Sequence, residues 1–267
     1  VLGAYVALRR SDLKQIFAYT TVSQLGLLMC MYGVGRLQFH GQPNLIWDIT
    51  QILNHAMYKA PLFILAGAVA HVVHTRELPA LRGLIRLGGQ KRIMAILMIL
   101  AAYALAAGPL TISFIAKEFF YYGIAHGLEV TGHWGYYLLI GAAILTGAFN
   151  TAIFIRITRV LLGQVEENTF AQPAEYVAHH DHPVDEKPSA EDIDVDPHDH
   201  GWFWPSMLWV PALIILAMQY IGGIIPGAYE ALFGGIERSF NYFDKLPMAW
   251  QAHLGLPLYM SLAGYAL

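Results

Sequence analysis

Gln51, His55 and Lys59 recur every four residues inside the apolar run IWDITQILNHAMYKAPLFILAGAVAHVV (46–73). On a helix that spacing sets the three in one polar stripe, with Asn54 and Tyr58 beside it. An imidazole, with an intrinsic pKa of about 6.5, placed one turn from an amine can take a proton and release it in turn. A charged residue near the centre of a bilayer costs about 2.5–3.5 kcal/mol on insertion scales, and is kept mainly where it faces a bundle interior or a wet path. Lys59 therefore points to a route for protons or ions through a membrane. His55 is either a relay partner or, with Gln51 and Asn54, interhelical hydrogen-bond glue. Pro61 removes a backbone donor and predicts a break or loosening of the helix just past Lys59.

A second lysine repeats the theme. The run 93–108 is interrupted at Gly108-Pro109, then resumes through Thr111 and Ser113 to Lys117-Glu118. A Gly/Pro break followed by polar groups marks a discontinuous membrane helix, and such backbone is tolerated only where it is buried in protein or lines a cavity. Lys117 and Glu118 point about 100° apart on a helix and need not pair with each other. They line the same path as Lys59, or they sit at the membrane surface with Lys117 snorkelling. Ser23 and Gln24, with Thr20 and Thr21, and later Asn150 and Thr151, are uncharged groups able to hold water or to pack helices.

The elements that must position these groups follow from hydropathy. The chain of 267 residues is 56% hydrophobic and 13% charged, against about 25% charged in soluble domains. About 20 apolar residues cross a bilayer as a helix. The sequence predicts the tail of one span at 1–8, then spans at 16–35, 46–73, 93–123 (interrupted), 134–162 and 203–225, an interfacial stretch at 228–245, and a last span from Leu256. Loops alternate sides, so 9–15, 75–92 and 156–201 share a face. That face carries eleven lysines and arginines against three on the other, Arg36, Arg238 and Lys245. The asymmetry places it in the cytoplasm. Eleven of the 19 acids and five histidines fall in 166–200, a segment too poor in large apolar residues to form a core. The domains expected are a membrane core at 1–163 holding a proton half-channel, an acidic His-rich cytoplasmic loop at 164–202, and C-terminal membrane helices at 203–267. Both ends fall inside apolar runs and suggest a fragment of a longer polytopic protein. Cys30 is the lone cysteine, so no internal disulfide forms, and at helix depth it reads as packing.

SDLKQIFAYTTVSQLGLL (11–28), NHAMYKAPLF (54–63) with TRELPALRGL (75–84), and FIAKE (114–118) occur in this order. With these motifs the chain resembles the antiporter-like family of proton-translocating membrane subunits. The family includes the large subunits of Mrp-type Na⁺/H⁺ antiporters and the L, M and N subunits of complex I. The wording is most similar to the A-type large subunit of the Mrp antiporters, and the likeness is strongest over residues 1–125. The resemblance implies an all-α helix bundle with inverted repeats and broken helices, of which this chain would carry most of the second repeat. It implies that Lys59 is the central lysine of the half-channel, His55 the histidine before it, and Lys117, with Glu118 beside it, the far end. The chain departs from the family pattern at Gln51, where many relatives have a histidine, at AAGPL (106–110), where Gly-Leu-Pro-Pro is usual, and in the acidic loop.

The function expected is a subunit of a multisubunit Na⁺ (or other monovalent cation)/H⁺ antiporter in the cell inner membrane, moving protons through Lys59, His55, Lys117 and Glu118, with Gln51, Tyr58, Ser23 and Gln24 in support. The partners are the other membrane subunits, protons and the cation; no nucleic acid is implied. The alternative is a proton-pumping subunit of a complex I-like NADH-quinone oxidoreductase, a membrane hydrogenase or an inorganic-carbon uptake complex. One cysteine cannot ligate an iron–sulfur cluster, and no flavin or haem motif appears, so no cofactor is expected and any redox chemistry would belong to another subunit. His179, His180, His182, His198 and His200, with Asp181 and Asp199, offer zinc or nickel ligands, or else belong to a solvated acidic loop.

Overall fold

Backbone N–H and C=O groups have no water to bond in the hydrocarbon region, so an apolar chain there closes its hydrogen bonds within helices. The computed structural model describes residues 1–38, 45–163, 203–225, 228 and 256–267, and among these every long element is helical: α1 (Leu2–Leu8), α2 (Leu13–Gln38), α3 (Leu45–Val73), α4 (Gly89–Leu105), α5 (Ile112–Thr131), α6 (Gly135–Leu162), α7 (Phe203–Ile224) and α8 (Leu256–Ala266). Two 3₁₀ turns, Leu78–Leu81 and Leu84–Leu87, join α3 to α4. These elements match the spans read from hydropathy to within a few residues, except that α2 runs on through Gly33 and Gly35 to Gln38 and α5 runs past the expected end at 123 to Thr131. The loop 164–202, with its histidines, and most of the stretch 228–245 lie outside the described residues.

α3 is the central helix, packed by α2, α4, α5 and α7, while α8 lies against α5 and α6. Its chain continues without interruption through Pro61, which corrects the expectation of a helix break there. The proline does forfeit one internal hydrogen bond. It is buried, however, and on either side of it Tyr58, Leu62, Leu65 and Ala66 pack into the main apolar cluster. Packing from several helices outweighs the local defect.

The break between α4 and α5 is where the sequence sets it. Ala107 and Leu110 take the left-handed conformation, with φ of 54° and 70°, which costs a non-glycine residue about 1–3 kcal/mol and persists only where the surroundings impose it. Thr111 caps α5: its hydroxyl accepts from the Phe114 amide at 3.2 Å and donates to the Gly108 carbonyl at 2.7 Å. Two glycines admit the close packing. A Cβ at Gly108 would lie 2.1 Å from the Tyr103 ring, and one at Gly223 of α7 would lie 2.5 Å from the backbone of Leu110 and Thr111.

Around an apolar core, several polar side chains are buried and many large apolar ones face outward, unlike a soluble protein. Thr20, Gln24, Gln51, Asn54, Lys59, Ser113 and Gln219 are buried, while Val22, Leu25, Met29, Tyr137, Leu138, Ile214 and Ile221 face outward. Among the described residues three helices, Gln51–Val73, Gly135–Leu162 and Met207–Ile224, have the length and composition to cross a bilayer. The basic loops meet at one end. Arg156 donates to the carbonyls of Leu8 and Arg10, both at 2.6 Å, Arg76 pairs with Asp12, and Arg92 donates to the Ile85 carbonyl at 3.1 Å. This is the face that the charge count identified.

Candidate functional site

Lys59 is 4% exposed. Its ammonium donates to the Phe17 carbonyl of α2 at 2.8 Å and to the Thr20 hydroxyl. Thr20 donates its own proton back to the carbonyls of Ile16 or Phe17, at 3.1 and 2.9 Å, and so leaves its oxygen as an acceptor for the lysine. The partners of the buried amine are thus neutral dipoles, an arrangement in which gain and loss of the proton are more evenly matched than in an ion pair. His55 sits half-buried one turn away, with Nδ1 3.0 Å from the Tyr58 hydroxyl and the two rings edge to face. The hydrogen-bond partner of His55 is therefore Tyr58.

Next to Tyr58, and without a hydrogen bond to it among the described residues, a polar chain crosses the bundle. Gln24 of α2 donates to Gln51 at 3.4 Å; Gln51 donates to the Ala116 carbonyl of α5 at 2.9 Å. Ser113 of α5 donates to Asn54 at 2.7 Å, and Gln219 of α7 donates to Asn54 at 3.0 Å and to Ser113 at 2.7 Å. A cavity of about 50 Å³ runs along this chain, lined by Gln24, Gln51, Asn54, Tyr58, Ser113 and Lys117 among others. It has room for about three waters at 10–15 Å³ each. Asn150 lines the same cavity and its side-chain oxygen is buried without a protein partner, as expected of a group that bonds water.

Lys117 closes the far end. Its ammonium donates to the Tyr265 hydroxyl of α8 at 2.8 Å and lies 4.2 Å from the centre of that ring. Tyr265 in turn donates to the Ala107 carbonyl in the helix break. Glu118 points elsewhere and accepts from Ser261 of α8. Lys117 is therefore inside the bundle, not at its rim. The structure thus brings Gln24, Gln51, Tyr58 and Lys117 to one cavity and ties His55 to it through Tyr58. It leaves Ser23 aside: that hydroxyl opens on a neighbouring cavity of about 360 Å³ lined by Gly3, Gly26, Ala142 and Ala143. Among the described residues no three His, Cys, Asp or Glu side chains converge, and the five loop histidines lie outside them.

Gln219, Ser261 and Tyr265 escaped sequence reasoning. Gln219 had a signal, as a lone amide in the otherwise apolar run 207–225. Ser261 and Tyr265 had none beyond being hydroxyls in a terminal apolar stretch.

Residues 1–146 match the family model described as NADH:quinone oxidoreductase/Mrp antiporter, TM. The chain belongs to this family of membrane subunits and is a multi-pass membrane protein. It is 34% identical over 139 residues to a putative antiporter subunit, mnhA2, of Staphylococcus haemolyticus, covering 49% of this chain and 17% of the relative. It is 36% identical over 125 residues to the A1 subunit of the Na(+)/H(+) antiporter of Staphylococcus aureus, covering 43% of this chain and 15% of that one. In structure it resembles the Mrp complex of a Dietzia species, with a TM-score of 0.66 and 25% identity over 99% of this chain and 24% of the other. The chain thus spans about a sixth of the curated relatives it matches, and about a quarter of the solved chain.

Proposed function

We propose that this chain forms a proton half-channel of a multisubunit monovalent cation/H⁺ antiporter in the inner membrane. Lys59 and Lys117 are its proton carriers. His55 loads or unloads Lys59 by way of Tyr58, and Glu118 stands beside the far carrier. Residues 1–163 form the core of the path, and the helices of 203–267 close it. The acidic loop 164–202 hangs on the cytoplasmic side.

The observation that carries this reading is the cavity itself. Lys117 and a set of buried amides and hydroxyls line one cavity with room for water, the cavity reaches Tyr58 beside the buried Lys59, and aliphatic side chains turn outward. A structural role for either lysine would need no such space. The relatives named above as antiporter subunits favour Na⁺ or another monovalent cation as the exchanged ion and other membrane subunits as partners.

The test is ΔpH-driven Na⁺/H⁺ exchange in vesicles holding the whole protein with its partner subunits, comparing wild type with Lys59→Ala. Exchange lost in a variant that still assembles supports the reading. Normal exchange from that variant removes Lys59 from the path. Absence of exchange in the wild type itself shifts the reading to a redox-driven pump, and quinone reduction by the complex is then the assay.

A further inference from the structure

We propose that Tyr265 of α8 is a positioning residue for Lys117, its hydroxyl latching the lysine to the Ala107 carbonyl of the helix break, with Ser261 fixing Glu118 from the same helix. The inference rests on Lys117 being a proton carrier. It assigns to α8 a part in transport that the motifs of the chain do not suggest.

Three contacts define the latch, and Lys117 also reaches the Ala107 carbonyl directly, at 3.5 Å. Lys117 donates to the Tyr265 oxygen at 2.8 Å, Tyr265 donates to Ala107, and Ser261 donates to Glu118. Ser261 is 2% exposed, so its bond is made in a closed interface. Ser261 and Tyr265 stand one turn apart on α8 and grip adjacent residues of α5. The acceptor, Ala107, is held at a φ of 54° and lines the cavity. The latch therefore joins the charged end of the path to the stretch of backbone between α4 and α5, where the helical hydrogen-bond ladder is interrupted.

The phenol has one proton to give. While Lys117 is an ammonium it must donate, and the phenol proton goes to the Ala107 carbonyl. A neutral Lys117 offers a lone pair, and the same phenol can turn its proton to the amine and release the Ala107 carbonyl to the cavity. Each protonation change thus reverses one hydrogen bond and changes what the cavity presents to water at its far end. The other titratable groups around Lys117 are Glu118 and Tyr121 on its own helix, Tyr58 of α3 across the cavity, and Tyr103 of α4 behind Gly108. Gln219 of α7 and Asn150 of α6 face the same region uncharged.

Tyr265→Phe keeps the ring and its packing and removes only the hydroxyl. The experiment measures ΔpH-driven exchange against pH in vesicles holding the whole complex, for wild type, Tyr265→Phe, Ser261→Ala and Lys117→Ala, each checked for assembly by size exclusion. A hydrogen bond to a charged group is worth enough for Tyr265→Phe to slow exchange about tenfold, and the pH of half-maximal exchange should move as well. Ser261→Ala should slow exchange less and move the same midpoint. Wild-type rates and midpoint in Tyr265→Phe overturn the latch, as does a slower rate at an unmoved midpoint in both hydroxyl variants, which is the mark of packing alone. Normal exchange from Lys117→Ala overturns instead the reading of Lys117 as a carrier, so the two failures are told apart.

Discussion

Lys59 of α3 donates to the backbone carbonyl of Phe17 in α2 at 2.8 Å, and to the Thr20 hydroxyl one turn further on. The lysine's partners are thus a carbonyl and a hydroxyl of a neighbouring helix. A carboxylate would hold the proton far more tightly; dipoles stabilise the ammonium while allowing it to discharge.

Thr20→Val keeps the shape of the side chain and removes the acceptor. A hydrogen bond to a charged group contributes about 1.5–3 kcal/mol. The variant is expected to assemble normally and to exchange protons at least about tenfold more slowly, measured as dissipation of an imposed ΔpH in vesicles. Unchanged exchange would mean that the Phe17 carbonyl alone suffices to hold Lys59.

Asn54 and Gln219 separate the loss of a donor from the loss of a shared acceptor. The Asn54 side-chain oxygen accepts from both Ser113 and Gln219. Asn54→Leu leaves the buried Ser113 proton without its acceptor and Gln219 with Ser113 as its remaining one, and an unsatisfied buried group costs about 1–3 kcal/mol. Gln219→Leu removes one donor and leaves Asn54 still bonded to Ser113, so its cost should be about 1 kcal/mol. Thermal unfolding in detergent should show the larger drop in Tm for Asn54→Leu. Equal drops would mean that Gln219 has another partner across α7.

Much of this was legible in the sequence, and the part that was not has a physical reason. The stripe Gln51, His55, Lys59 follows from helical periodicity, and the interruption at Gly108-Pro109 from the backbone limits of those residues. Both are local properties. Pro61 misled because the same local rule predicts a break, whereas α3 is packed by four helices and stays continuous. Tyr265 reaches Lys117 across 148 positions of chain and Gln219 reaches Asn54 across 165. No periodicity joins positions so far apart, and only the packing of α7 and α8 brings them together. For His55 the chemistry gave an expectation of proton handling but no partner: that it meets Tyr58 depends on a rotamer.

Gly223 tests whether α7 holds the break in place. A Cβ there would lie 2.5 Å from the backbone of Leu110 and Thr111, and backbone cannot turn aside as a side chain can. Gly223→Ala should cost about 1–3 kcal/mol through overpacking, and slow exchange by displacing the residues around Lys117. At Gly108 the obstacle is the Tyr103 ring, so Gly108→Ala should be rescued in part by Tyr103→Ala. The comparison is made by Tm and exchange rate together. Rescue of Gly223→Ala by Tyr103→Ala would show that the break moves as a unit and that α7 does not hold it.

Asp12 and Arg76 allow a last prediction at the basic end, where two effects compete at one carboxylate. Asp12 pairs with Arg76, and it also accepts from the Gln15 amide at 3.0 Å, which caps the first turn of α2. The Arg76 side chain is 52% exposed, so the ion pair is worth about 0–1 kcal/mol and weakens in salt. The cap contributes about 1 kcal/mol that salt does not screen. Asp12→Ala should therefore destabilise more than Arg76→Ala, and the gap should persist at high ionic strength while the effect of Arg76→Ala fades. Tm values of both variants, taken at low and high NaCl, decide it. Equal losses that vanish together in salt would assign the stabilisation to the ion pair, and leave the start of α2 to packing of Leu13 and Phe17 against the core.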